Sequence, residues 1–383
     1  MTVGMKYAVT IALSDPHRSA DPPPTAERRQ IAAHGASRGS VPGTAQAPEG
    51  RKKTPHVHIL PIRCGARTLA TCLILSSTLI ACARQKSPDT PQTVSSTLLP
   101  TAMNSDDPAP KPSINSARAM QYVRDVVAFG PRPIGSPNHK KLETYIVSHL
   151  KGVTVEDDAF TADTPEGKFP VRNIIAKFPG TRDGIIVIAG HYDTNYPLRN
   201  TGYVGANDGG SSTAILLELA NHLRDKKRDG YSVWLLWTDG EEAVKQWSAT
   251  DSLYGTRHLA EKWEKDGTLK KIKAFLLTDM IADADLNIDQ DMNSTPWLES
   301  VVLQAATRLG YQSHFFGRSL PIEDDHLPFV HMGVPSADLI DMDYGYNDVF
   351  HHTPQDTLDK LSPKSLEIVG SVLLETVRLL DKM

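Results

Sequence analysis

The sequence predicts an α/β domain built on a central mixed, largely parallel sheet with helices on its faces. Three observations lead there. Ile185-Ile186-Val187-Ile188-Ala189 is an uninterrupted apolar run of the kind that lies in a sheet covered on both faces. Further strand-like runs follow it, each separated from the next by a stretch with helical spacing of apolar residues. Polar, glycine-containing clusters stand just after these runs, where open α/β sheets bind ligands.

In chain order, Ser116 to Phe129 carries apolar residues at helical spacing (Met120, Val123, Val126, Val127) until Gly130-Pro131 stops it. Pro137 to Leu150 reads as a second helix with Ser136 as N-cap. Strands over Val153 to Thr161 and Val171 to Phe178 are joined by a Pro-Glu-Gly turn at 165–167. The alternation then runs as strand 185–189, helix 211–223, strand 231–237, helix 252–262 and strand 272–277. A helix over 297–309 and a short last strand, 335–340, complete it. Ser362 caps a closing helix to Leu380, with Pro363 at its first position. No internal repeat is present.

Bulk properties narrow the partners. Of 383 residues 40% are hydrophobic and 22% charged, as in ordinary soluble domains. A net charge of −4 argues against the dominant basic face that nucleic acid demands. Prolines crowd the first 115 or so positions, as in Asp21-Pro22-Pro23-Pro24, and such composition buries too little apolar surface to fold. All three cysteines, Cys64, Cys72 and Cys82, fall there, so the rest of the chain has neither disulfide nor thiolate ligand.

Four segments result: an N-terminal extension over 1–66, disordered or upstream of the true start; a signal segment over 67–82; a tether over 83–114; and a catalytic α/β domain over 115–383. Arg63, just ahead of the second segment, and Arg67, which opens it, supply a positive flank to an apolar stretch from Leu69 to Ala81 that is too short to span a bilayer. Leu79-Ile80-Ala81-Cys82 resembles the lipobox of bacterial lipoproteins. That resemblance implies export to the cell envelope, with membrane contact only through a lipid on Cys82, or a periplasmic or secreted form.

The chemistry-bearing clusters are Gly190-His191-Tyr192-Asp193, Gly205-Ala206-Asn207-Asp208-Gly209-Gly210, Asp239-Gly240-Glu241-Glu242, Thr278-Asp279 and His351-His352-Thr353-Pro354. Each alone reads as a cap or a turn. Gathered at successive strand ends, carboxylates and imidazoles without thiols suit a catalytic zinc with an open coordination position. The adjacent pair Glu241 and Glu242 allows one carboxylate to bind metal while its neighbour moves protons.

These clusters resemble the zinc aminopeptidase superfamily. The stretches 239–260 and Ile322-Glu323-Asp324-Asp325-His326-Leu327-Pro328-Phe329 are similar to motifs of its glutaminyl cyclase branch. The resemblance covers about residues 115–383 and implies a glutaminyl-peptide cyclotransferase, which converts the N-terminal glutamine of peptides or proteins to pyroglutamate and releases ammonia. It also implies one zinc held by Asp208, Glu242 and His352, with Glu241 as proton shuttle. Asp279 and Asp324 become hydrogen-bonding partners near the substrate, and Trp247 a wall of the glutamine pocket. The animal enzymes have Trp-His-Thr where this chain has His351-His352-Thr353, so His351 stands in for a pocket aromatic; their cysteine pair is also missing here, with Gly190 before His191. The rival reading is a zinc aminopeptidase, in which His191 and Asp279 hold a second zinc bridged by Asp208. A non-catalytic binding ectodomain is a third.

Overall fold

A computed structural model describes residues 109–383. The extension, the signal segment with Cys82 and most of the tether lie outside the described residues.

The elements are α1 (Ser116–Val127), α2 (Pro137–His149), β1 (Thr154–Thr164), β2 (Gly167–Phe178), β3 (Arg182–His191), α3 (Gly210–Leu223), β4 (Tyr231–Thr238) and α4 (Tyr254–Lys265). Then follow β5 (Ile272–Asp279), β6 (Ile288–Asp291), α5 (Pro296–Leu309), β7 (Phe315–Leu320), α6 (Leu327–His331), β8 (Ser336–Ile340) and α7 (Pro363–Leu380). Six strands form one mixed sheet in the order β1-β2-β4-β3-β5-β8. The α/β class and the mixed sheet are as the sequence predicts. β1 pairs antiparallel with β2, and β2 with β4, whereas β4, β3, β5 and β8 run parallel. Parallel neighbours need crossovers, and α3, α4 and α5 lie within them.

Strand periodicity explains the two apolar layers. Ile186, Ile188, Val233, Leu235, Ala274 and Leu276 pack on the side of α1, α3, α5 and α7. Their alternates Val187, Ala189, Leu236, Phe275 and Leu277 pack with Leu259, Trp263 and Phe329 of α4 and α6. Both faces are covered, so the run 185–189 has no polar alternate.

Helix starts follow their caps. Asn115 accepts from the Arg118 amide, Ser136 from that of His139 and Ser362 from that of Lys364. Differences from the sequence reading have local causes. α4 begins at Tyr254 rather than Ser252, because Leu253 sits at φ +51° and Asp251 folds back onto the preceding turn. The β1–β2 hairpin is longer than its apolar pattern, since ladder pairing continues out to Thr164 opposite Gly167. The pair β6–β7 and the one-turn α6 were not anticipated; Ile288-Asp289-Gln290-Asp291 has too little apolar content to announce a strand.

Candidate active site and metal centre

Four parallel strands deliver their C-terminal ends to one edge of the sheet. β3 ends at His191 and β5 at Asp279, while β4 runs into Asp239-Gly240-Glu241-Glu242. Asp208 arrives on the loop that opens α3, and His352 on the loop after β8. That edge bounds a cavity of about 390 Å³ lined by Asp208, Glu241, Glu242, Trp247, Asp279, Asp324, His351 and His352, with Met280, Ile322 and Met342 as apolar surface. The structure thus brings together every site residue named from the sequence except His191, which lies directly behind Asp208.

Distances within the cluster are short. His352 Nε2 lies 3.3 Å from Asp208 Oδ2 and 3.1 Å from Glu242 Oε1. His191 Nε2 lies 3.0 Å from Asp208 Oδ1 and 3.2 Å from Asp279 Oδ1. Ligand atoms of Asp208, His351 and His352 all fall within 4.8 Å of one another, and so do those of His191, Asp208 and Asp279. His351, expected as a pocket wall, therefore also stands within reach of the metal site; its Nδ1 lies 3.0 Å from Asp348. His352 adopts φ +51°, a backbone state rare outside glycine and found where function fixes a side chain.

The electrostatics of the cluster call for a cation. Burial disfavours charge on Glu241 and raises its pKa well above the carboxylate range; His191 opposes the rise, but Glu242, Asp324 and Asp325 add to it. Glu242 is also raised, first by burial. For His352 burial favours the neutral ring, yet Glu242 and Asp208 together lift its pKa to about 11. Asp208 is opposed by burial, but hydrogen bonds from His191 and His352 hold it well below the usual range. So many carboxylates around two imidazoles, without a thiol and with one side open to the cavity, fit a catalytic zinc.

A second layer holds these groups, and most of it was not singled out from the sequence. Asp193 accepts from the amides of Glu241 (3.2 Å) and Glu242 (3.4 Å). Asp356 does the same for Asn207 (2.8 Å) and Asp208 (3.2 Å). Asn195 donates to Glu242 Oε2 at 2.8 Å, and Tyr203 Oη donates to Asp208. The wholly buried Arg132 guanidinium donates to the carbonyls of Tyr192 (3.0 Å) and Gly205 (2.7 Å). Gly209, at φ +69°, must be glycine: a Cβ there would stand 2.6 Å from the Asp193 carbonyl and 3.0 Å from the His191 ring. Asp193 ends the Gly190-His191-Tyr192-Asp193 cluster and Asp356 follows Pro354 by two residues, and nothing else in the sequence marks either.

Glu241 and Glu242 are neighbours with different surroundings. Glu242 is tied to Asn195 and His352. The Glu241 carboxylate accepts no hydrogen bond among the described residues, and His191 Nδ1 stands 3.9 Å away. Trp247 is half-buried at the cavity mouth, with its Nε1 donating to Glu323 Oε2 at 3.2 Å.

Comparison with known proteins finds relatives by sequence and by fold. Residues 173–377 match the model of peptidase family M28. A glutaminyl-peptide cyclotransferase of Drosophila melanogaster is 32% identical over 59% of this chain and 70% of its own length. Among solved structures, the glutaminyl cyclase of an Acidobacteriales bacterium is 52% identical, with a TM-score of 0.70 over 73% of this chain and 99% of that one. A Zn-dependent exopeptidase from Parabacteroides distasonis shares the fold at 25% identity and a TM-score of 0.64, covering 72% of this chain and 100% of that one. The chain belongs to peptidase family M28 and, within it, to the glutaminyl cyclase branch.

Proposed function

We propose that this chain is a zinc-dependent glutaminyl-peptide cyclotransferase that acts on peptides and proteins bearing an N-terminal glutamine. The observation that carries the reading is the division between Glu241 and Glu242 beside a half-open cavity, in a chain 52% identical to a solved glutaminyl cyclase.

Asp208, Glu242 and His352 are the proposed ligands, and a zinc ion bound there supplies Lewis acidity toward the side-chain amide carbonyl. Glu241 moves the proton. In the reaction the α-amine forms a bond to its own γ-carbon, and the bond from that carbon to the amide nitrogen breaks. The amine gives up one proton, and the departing nitrogen gains one to leave as ammonia. A carboxylate free of hydrogen bonds, with its pKa raised by burial, suits both transfers. Asp279 and Asp324 line the same cavity and are the proposed hydrogen-bonding partners near the substrate; Asp324 Oδ2 is buried and has no partner among the described residues. Trp247 and His351 flank the glutamine side chain. Because nucleophile and electrophile are already joined, the pocket contributes mainly by folding the side chain and excluding water.

Mass spectrometry of Gln-Xaa and Leu-Xaa peptides tests the assignment. Cyclisation removes one ammonia from Gln-Xaa and leaves the peptide bond intact, with Leu-Xaa untouched. Free leucine, with Gln-Xaa unchanged, would establish the aminopeptidase instead. That rival draws on one specific feature, the gathering of His191 and Asp279 around Asp208.

The signal-like segment and Cys82 support export as a lipoprotein or a released protein. N-terminal sequencing of native material tests this: residues 1–60 on the mature cytoplasmic protein would overturn it.

A further inference from the structure

We propose that a second cleft beside the catalytic cavity receives an apolar residue of the substrate just downstream of its N-terminal glutamine. The inference rests on the cyclase reading above and extends it to specificity.

The second cleft has a volume of about 370 Å³ and shares Trp247 and Glu323 with the catalytic cavity. Those two side chains are hydrogen-bonded to each other, so they form a common wall, one indole and one carboxylate thick. A chain leaving the glutamine pocket over this wall covers roughly 7 Å in two extended residues. That is enough to cross a side chain of this size.

The wall is fixed in advance. Asp251 accepts from the amides of Val244 (2.8 Å), Lys245 (3.0 Å) and Gln246 (2.8 Å), which sets the turn just before Trp247. Arg257 donates to the carbonyls of Ala249 (3.2 Å), Thr250 (3.4 Å) and Ser252 (2.7 Å), which holds the segment just after it. Its guanidinium lines the cleft with most of its N–H groups engaged by these carbonyls. The apolar part of the remaining surface is Ala249, Leu253, Leu327, Pro328 and Met332; Ser248, Ser252, Glu261 and His331 supply the polar part. Met332 is 36% exposed, and a flexible thioether at the surface adapts to apolar side chains of different shape. A site of this kind favours aliphatic and aromatic residues over acidic ones, and the two carboxylates Glu323 and Glu261 outnumber the one guanidinium, Arg257, on its lining.

The test compares kcat/KM for Gln-Ala-amide, Gln-Ala-Phe-amide and Gln-Ala-Asp-amide in the full chain and in Met332→Asp and Leu327→Asp variants. The Phe peptide is expected to exceed the Asp peptide by roughly tenfold, the discrimination typical of one apolar side chain in a pocket. Each variant should shrink that ratio, chiefly through KM, and Met332→Lys should shift it toward the Asp peptide. Equal kcat/KM for the two tripeptides would overturn the subsite while leaving the cyclase reading standing. So would a Phe preference that both variants retain, or a Met332→Asp variant that changes only the oligomeric state. No ammonia from any of the three peptides would sink the cyclase reading, and the subsite with it.

Discussion

Asp251 and Glu241 belong to the same loop after β4, and both are buried, yet they have opposite surroundings. Asp251 accepts from three backbone amides and from Tyr254 Oη (2.7 Å); burial opposes its charge, but these bonds outweigh it and lower its pKa. Glu241 has burial and three neighbouring carboxylates against it, which outweigh the attraction of His191, and its pKa rises. The first arrangement makes a carboxylate a structural fastener. The second leaves it poised to take up and release a proton. What separates them is the supply of donors, which the backbone turn gives to one and withholds from the other.

The comparison can be broken most forcefully at the metal. Asp208→Ala or His352→Ala should remove zinc and abolish turnover, as read by elemental analysis of protein purified without added metal; His191→Ala should keep most of the zinc. Wild-type protein should carry one zinc per chain. Two zinc ions per chain, both required for activity, would favour the aminopeptidase reading.

Glu241→Gln should retain zinc and thermal stability while turnover falls by roughly 10²–10⁴-fold, the usual contribution of a positioned general base. Near-normal turnover with zinc in place would show that the proton moves by another group.

Asp251→Asn should do the reverse. It leaves amide donors with a weaker acceptor and should cost about 1–3 kcal/mol in urea unfolding, with zinc content unchanged. Because the folded pKa of Asp251 is depressed, its contribution is complete above an unfolded value of about 3.9 and is lost as pH falls through the lower folded value. The stability gap between wild type and variant should therefore be wide at neutral pH and should close in acid. A gap independent of pH would mean that the carboxylate charge is not what the turn uses.

The smallest effect should come from Lys168→Ala. Its ion pair with Asp163 lies on the exposed end of the β1–β2 hairpin, with 69% and 80% of the two side chains accessible. Unfolding experiments should find a change of at most about 0.5 kcal/mol, because solvent screens the pair.

Much of this was readable in the chain itself. The apolar run 185–189 could only be a strand covered on both faces, and the caps at Ser136 and Ser362 start helices by local hydrogen bonds alone. Motif residues at strand ends named the cavity lining, because consecutive parallel strands place their C-terminal ends along one edge. β6 and α6 were invisible because neither has a hydrophobic period of its own.

What the sequence determined by itself were properties set within a few residues or by alternation: strands, helices, caps, the lack of thiols in the folded part and the identity of the candidate ligands. Tertiary structure alone decided the pairings between distant segments. It set Asp193 against the amides of Glu241 and Glu242, Asp356 against that of Asp208, and Trp247 against Glu323 across 76 residues of chain. A carboxylate's role depends on which donors the fold brings within about 3 Å of it, and hydrogen bonds fade so steeply with distance that no local pattern encodes this.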